Sequence, residues 1–207
     1  GTKPKIEVEK VFHPLMLAHP IEKKDFNNLN PTEFFAEWKW DGIRVQLVLF
    51  NSKIRIFSRT GDDISNTFPE IQNNENDLVV LDGELLVGNS FKPFKFNKLQ
   101  QRLNRKTVSK NHLENFPAFV KLYDILFLKN KDLRSLDFSK RRSILSEWHN
   151  QIQNKSFDLS EIFEFKTWEN LKNIKSKKLN KSEHEGLMIK RKTSSYISGR
   201  PKGYWFK

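Results

Sequence analysis

The chain contains no cysteine. That excludes a disulfide scaffold and thiolate-held zinc, and leaves metal binding to oxygen ligands and histidine. A hard cation such as magnesium suits those donors. No apolar run is long enough to cross a bilayer and no signal-peptide pattern opens the sequence, so a cytoplasmic protein is expected. Glycine is scarce, at 8 residues, and there is no Gly-rich phosphate loop, paired-His metal signature or internal repeat. Acidic residues are in deficit, 25 against 37 Lys and Arg, a formal charge of +12. This suits a polyanionic partner, and a Lys- and Asn-rich composition is also what an AT-rich genome produces.

The 207 residues are 37% hydrophobic, with 18 Phe and 5 Trp, enough for one domain with a full core. Residues 1–10 are polar and lack a starting Met, as in a piece cut from something longer, and residues 1–32 read as a lead-in. His13 and His19 stand in its Pro-containing segment and read as surface or packing residues.

The stretch 37–44, Glu-Trp-Lys-Trp-Asp-Gly-Ile-Arg, sets Lys39 after an apolar and aromatic run and directly before Asp41-Gly42, a turn signal. Lys39 is therefore expected at a strand end. A lysine partly dried and placed beside other cations loses its proton more easily and becomes an amine nucleophile. Alone, Lys-x-Asp-Gly is weak, since chance produces it in roughly a few per cent of chains this long. A charged side chain beside a hairpin turn is the plain alternative.

Residues 45–50 and 53–58 read as a hairpin joined at Asn51-Ser52, with Arg44 and Arg59 at its two ends, near one edge. Phe68-Pro69-Glu70-Ile71 is expected to begin a short helix. Residues 78–87, Leu-Val-Val-Leu-Asp-Gly-Glu-Leu-Leu-Val, read as a buried strand whose Asp82 and Glu84 need something positive to face them. Gly83 fits a close approach of ligand or backbone. Residues 91–105 are compatible with a helix, and Arg102, Arg105, Lys106 and Lys110 form a basic group. Residues 118–128 form another strand, with Tyr123 before Asp124. Ser139 is expected to cap a helix running to about Asn150. A second helix is expected at 168–179, with Lys172, Lys175, Lys177, Lys178 and Lys181 on a solvated face and Leu171, Ile174 and Leu179 interleaved. Two further stretches carry chemistry: Glu-Gly-Leu-Met-Ile-Lys at 185–190 and Ser-Gly-Arg-Pro-Lys-Gly-Tyr-Trp-Phe-Lys at 198–207.

In this order the stretches at Lys39, Asp82-Gly-Glu84, Tyr123, Glu185 and Lys207 resemble motifs I, III, IIIa, IV and V of the ATP-dependent DNA ligases, a group related to RNA ligases and mRNA-capping enzymes. Arg59-Thr60-Gly61-Asp62 resembles motif Ia, and the resemblance covers residues 11–207. It implies an α+β fold of two packed antiparallel β-sheets flanked by helices, with a nucleotide cleft between them. It also implies that Lys39 takes AMP from ATP as a covalent adduct. Glu37, Arg44, Arg59, Glu84, Tyr123, Lys190 and Lys207 would contact the nucleotide, with Tyr123 stacking on adenine and Lys190 reaching a phosphate. Glu84 and Glu185 would bind Mg2+. The basic region after residue 91 would approach nicked double-stranded DNA, the partner implied for a monomeric enzyme. The tryptophans of Trp-Lys-Trp-Asp-Gly look most like bacterial ligases, which implies a nucleoid-associated protein. The family's second motif V lysine, OB-fold domain and motif VI would lie beyond Lys207. An RNA ligase or capping-type enzyme, and a non-catalytic basic DNA-binding module, are the competing readings.

Overall fold

The computed structural model describes residues 11–103, 105–178 and 184–207. A one-turn helix α1 (Asp25–Asn28) leads into β1 (Phe34–Trp40), then the hairpin β2 (Ile43–Phe50) and β3 (Lys53–Ser58). Its turn residues Asn51 and Ser52 both have positive φ, as a tight two-residue hairpin turn requires. There follow β4 (Val79–Asn89), β5 (Lys92–Pro93), α2 (Phe96–Gln100), α3 (Lys110–Asn115), β6 (Ala118–Leu128) and β7 (Lys131–Asp132). The remainder is α4 (Phe138–Ile152), β8 (Phe157–Leu159), β9 (Ile162–Glu164), α5 (Trp168–Lys178), β10 (His184–Arg191) and β11 (Trp205–Phe206).

Two sheets form, as expected of an α+β fold. One has strand order β11-β10-β1-β9; the other follows β3-β2-β4-β6-β7, with β5 on β4 and β8 on β6. Every pairing between these strands is antiparallel except β6 with β8. Period-two burial divides the larger sheet. Val45, Leu47, Leu49, Val79, Leu81 and Leu85 pack with Leu145 and Trp148 of α4, while Val48, Val80 and Leu126 pack against Met16, Tyr196 and Trp205. On the smaller sheet, Phe34, Ala36, Ile189 and Phe206 face Leu171 and Phe165. Glu37, Lys39, Met188 and Lys190 alternate with them and line the space between the sheets.

Four local expectations are corrected. No helix starts at Phe68: a short 3-10 turn, Ser65–Thr67, precedes it, and Phe68 and Ile71 are drawn into the core. Within 91–105 only α2 is helical. Arg102 is not surface charge, because its guanidinium is fully buried and donates to Glu70 (2.6 and 3.0 Å), Thr67 O and Phe116 O. Ser139 does not cap α4, whose N-cap is Asp137; its backbone N–H instead donates to Lys192 O. Leu179 and Lys181 lie outside the described residues. His13 and His19 are packing residues: the His13 ring lies tilted against Phe127, 4.7 Å between centroids, and the His19 ring meets Arg200 O.

Candidate active site

Lys39 is the penultimate residue of β1 and lies at an irregularity in the sheet. Trp38 pairs with Leu187 and Trp40 with His184, so β10 fits two residues, Glu185 and Gly186, opposite Lys39. The extra residue makes a bulge. Gly186 has φ +134°, a conformation that side-chain-bearing residues rarely adopt. The bulge turns Glu185 toward Lys39, and the two form an ion pair at the cleft mouth. That hydrogen bond, with the charges of Lys39 and Lys207, holds the Glu185 carboxyl below its ordinary range despite some desolvation.

Two residues before Lys39, Glu37 points into the same space but is only 2% exposed. Its carboxylate accepts from Lys190 Nζ at 2.5 Å and faces Arg142 of α4 at 3.5 Å. Lys190 sits among the rings of Tyr123, Trp205 and Phe138, at 4.4, 4.5 and 5.3 Å.

The larger sheet supplies the opposite wall. Arg44 pairs with Asp82 (2.9 Å) and donates to Met16 O (2.6 Å), while Tyr196 and Gln46 also donate to Asp82. The positive partner expected for Asp82 is thus Arg44. Glu84 is partly buried and accepts from Tyr123 Oη at 3.3 Å. Burial pushes its carboxyl up to about 7 against the opposing pull of Arg44, Tyr123 and Lys39. Val45 opposite Ser58 brings Arg44 and the exposed Arg59 to one open end of the hairpin.

The cleft between these walls has a volume of about 960 Å3 and is lined by Glu37, Lys39, Arg44, Arg59, Glu84, Tyr123, Glu185, Lys190 and Lys207 together. All nine candidate residues therefore share one cavity. Among the lining residues that sequence reasoning left unassigned are Met188, Arg200 and Trp205. All three fall inside stretches already singled out, so motif position was an available signal. Arg142 had none, as it reaches the site from a helix in which no chemistry-bearing motif was read.

No group of three or more His, Asp or Glu able to hold a metal occurs among the described residues. Glu84 and Glu185 are hard oxygen donors on opposite walls of the cleft. Two carboxylates fit Mg2+, which characteristically keeps several waters and completes its shell with phosphate oxygens.

A family model described as "ATP dependent DNA ligase domain" matches residues 15–207. The chain belongs to this family. Among curated relatives, a probable DNA ligase of Koribacter versatilis is 35% identical over 142 residues, 66% of this chain and 24% of that protein. A DNA ligase of Archaeoglobus fulgidus is 28% identical over 209 residues, 99% of this chain and 37% of that protein. The chain thus spans roughly a quarter to a third of the relatives it matches. Among solved structures, a mycobacterial DNA ligase D complexed with ATP and MES superposes with TM-score 0.72 at 25% identity, covering 94% of this chain and 59% of that one. The ATP-dependent ligase of bacteriophage T7 shares the fold, with TM-score 0.70 at 20% identity over 98% of this chain and 69% of that one. Membership in the ligase-domain family agrees with the α+β architecture and the cleft between its sheets. No described helix is long and apolar enough to cross a membrane.

Proposed function

We propose that this chain is the adenylation domain of an ATP-dependent DNA ligase. The observation that carries the reading is the gathering of nine motif residues around one cleft, with Lys39 at its mouth beside Glu185. Lys39 is the nucleophile. Its nitrogen attacks the α-phosphorus of ATP, an N–P bond forms, and the P–O bond to the β-phosphate breaks to release pyrophosphate. The amine must first shed a proton. Lys39 is 35% exposed, so that proton goes to solvent, while Glu185, held as an anion, orients the amine. Tyr123 and Met188 receive the base, and Arg59, Arg200 and Lys207 face the sugar and phosphates. Glu84 and Glu185 would hold Mg2+, which when bound offsets charge growing on the phosphate.

In the whole enzyme, AMP then passes to the 5′-phosphate at a nick in double-stranded DNA, and the 3′-hydroxyl displaces it to seal the strand. An OB-fold domain in the same parent chain completes that enzyme, which acts as a monomer and, if bacterial, at the nucleoid. The test is intact mass before and after incubation with ATP and Mg2+. The wild type gains one adenylyl group and Lys39→Ala gains none. An adduct that persists in Lys39→Ala moves the nucleophile elsewhere. Transfer to nicked RNA in preference to nicked DNA would favour the RNA-ligase reading.

A further inference from the structure

The Lys190 ammonium is poorly placed to serve as a phosphate ligand. Its side chain is 3% exposed, its Nζ is 2.5 Å from Glu37 Oε2, and three aromatic rings surround it. Moving it onto a nucleotide phosphate would forfeit those ring contacts. It would also leave the buried Glu37 carboxylate facing only Arg142, at 3.5 Å, and a buried charge without close pairing is strongly unfavourable. Arg142 is itself committed, since another of its guanidinium nitrogens donates to Ser160 O. Lys207 differs: it is exposed, and lines the cleft with Lys39 and Glu185.

We infer that Lys190, with Arg142, is a positioning residue that locks the Glu37 carboxylate and the Tyr123 ring into the wall receiving the base, leaving the phosphate charge to Lys207, Arg59 and Arg200. The inference rests on the ligase reading and deepens it. Lys190 and Arg142 hold Glu37 as a fixed acceptor at the cleft wall. A base presenting an exocyclic amine can donate to it, whereas one presenting a carbonyl oxygen there is repelled.

The test is single-turnover labelling of the full chain over a range of ATP concentrations, read by intact mass, for wild type, Lys190→Met, and the double variant Lys190→Met/Glu37→Gln. A positioning role predicts that Lys190→Met raises the ATP concentration for half-maximal labelling by roughly tenfold, while the saturating rate stays within about threefold. The double variant should bind ATP at least as well as Lys190→Met, because the stranded carboxylate is gone. If Lys190→Met fails to fold, the double variant carries the test alone, its saturating rate expected within about threefold of wild type. A saturating rate lower by roughly a hundredfold or more, not recovered in the double variant, overturns the positioning role. A parent protein, OB-fold domain included, that takes up no adenylyl group overturns the ligase reading itself.

Discussion

Glu84 has two demands on it, because the carboxylate that suits a cation or a ribose also sits where water is scarce. The folded chain keeps its proton up to about 7, whereas an unfolded chain releases it near 4.5. Folding therefore takes up a proton between those values, and the contribution to stability falls as pH rises through this window. Glu84→Gln should gain on the order of 2 kcal/mol of stability at pH 8 and almost nothing near pH 4.5, measured by urea unfolding at both. An equal gain at both values would mean that the site is not desolvated as described. Glu185 runs the other way: its pairing with Lys39 supports the fold above the ordinary carboxylate range and is lost as pH falls below it. Tyr123→Ala should weaken ATP binding by roughly tenfold or more and leave DNA affinity nearly intact. Equal loss of both would indicate misfolding instead.

Two glycines act through their strands. At Gly186 a side chain would meet open space, so the cost of Gly186→Ala lies in the backbone, about 1 to 2 kcal/mol. Its larger expected effect is chemical: the bulge aims Glu185 at Lys39, so the adenylation rate should fall by more than the stability loss explains. Labelling rate and thermal unfolding, compared on the same preparation, separate the two. At Gly83 the backbone conformation is ordinary but the space is filled, since an added Cβ would lie 2.6 Å from Val120 Cγ1 and 2.8 Å from Lys121 O. The close approach expected at Gly83 is thus to the neighbouring strand β6. Gly83→Val should destabilise the chain by about 1 to 3 kcal/mol, measured by denaturant midpoint. The α4 helix contributes from a distance, through Arg141, which grips the buried Asp124 at 2.8 and 3.0 Å next to Tyr123, and through Arg142.

Across the whole molecule the excess of positive charge, +12, is the property that the proposed ligase function would set against DNA. Binding to a nicked duplex should weaken by at least roughly tenfold between 50 and 200 mM salt, measured by fluorescence anisotropy. Insensitivity to salt would remove this charge from the interface. Arg102 does not belong to that surface. Arg102→Ala should cost about 3 kcal/mol or more of stability, since it breaks a buried pair and frees two backbone carbonyls. A stable variant that only binds DNA less well would show that the arginine leaves its pocket.

Strand periodicity and the Asn51-Ser52 and Asp41-Gly42 turns made the hairpin and the β4 and β6 strands legible from residues alone, because these signals repeat every second residue or span only a few positions; the membership of the cleft came from the family resemblance that five short motifs carry in order. The bulge at Gly186, the enclosure of Lys190 and the reach of Arg142 were not legible. Lys39 and Glu185 are 146 positions apart, and Arg142 and Glu37 are 105 apart. Which side chains meet at such separations is decided by how the sheets and α4 pack. The same packing buried Arg102 and drew Phe68 out of a helix, against what their local pattern favoured.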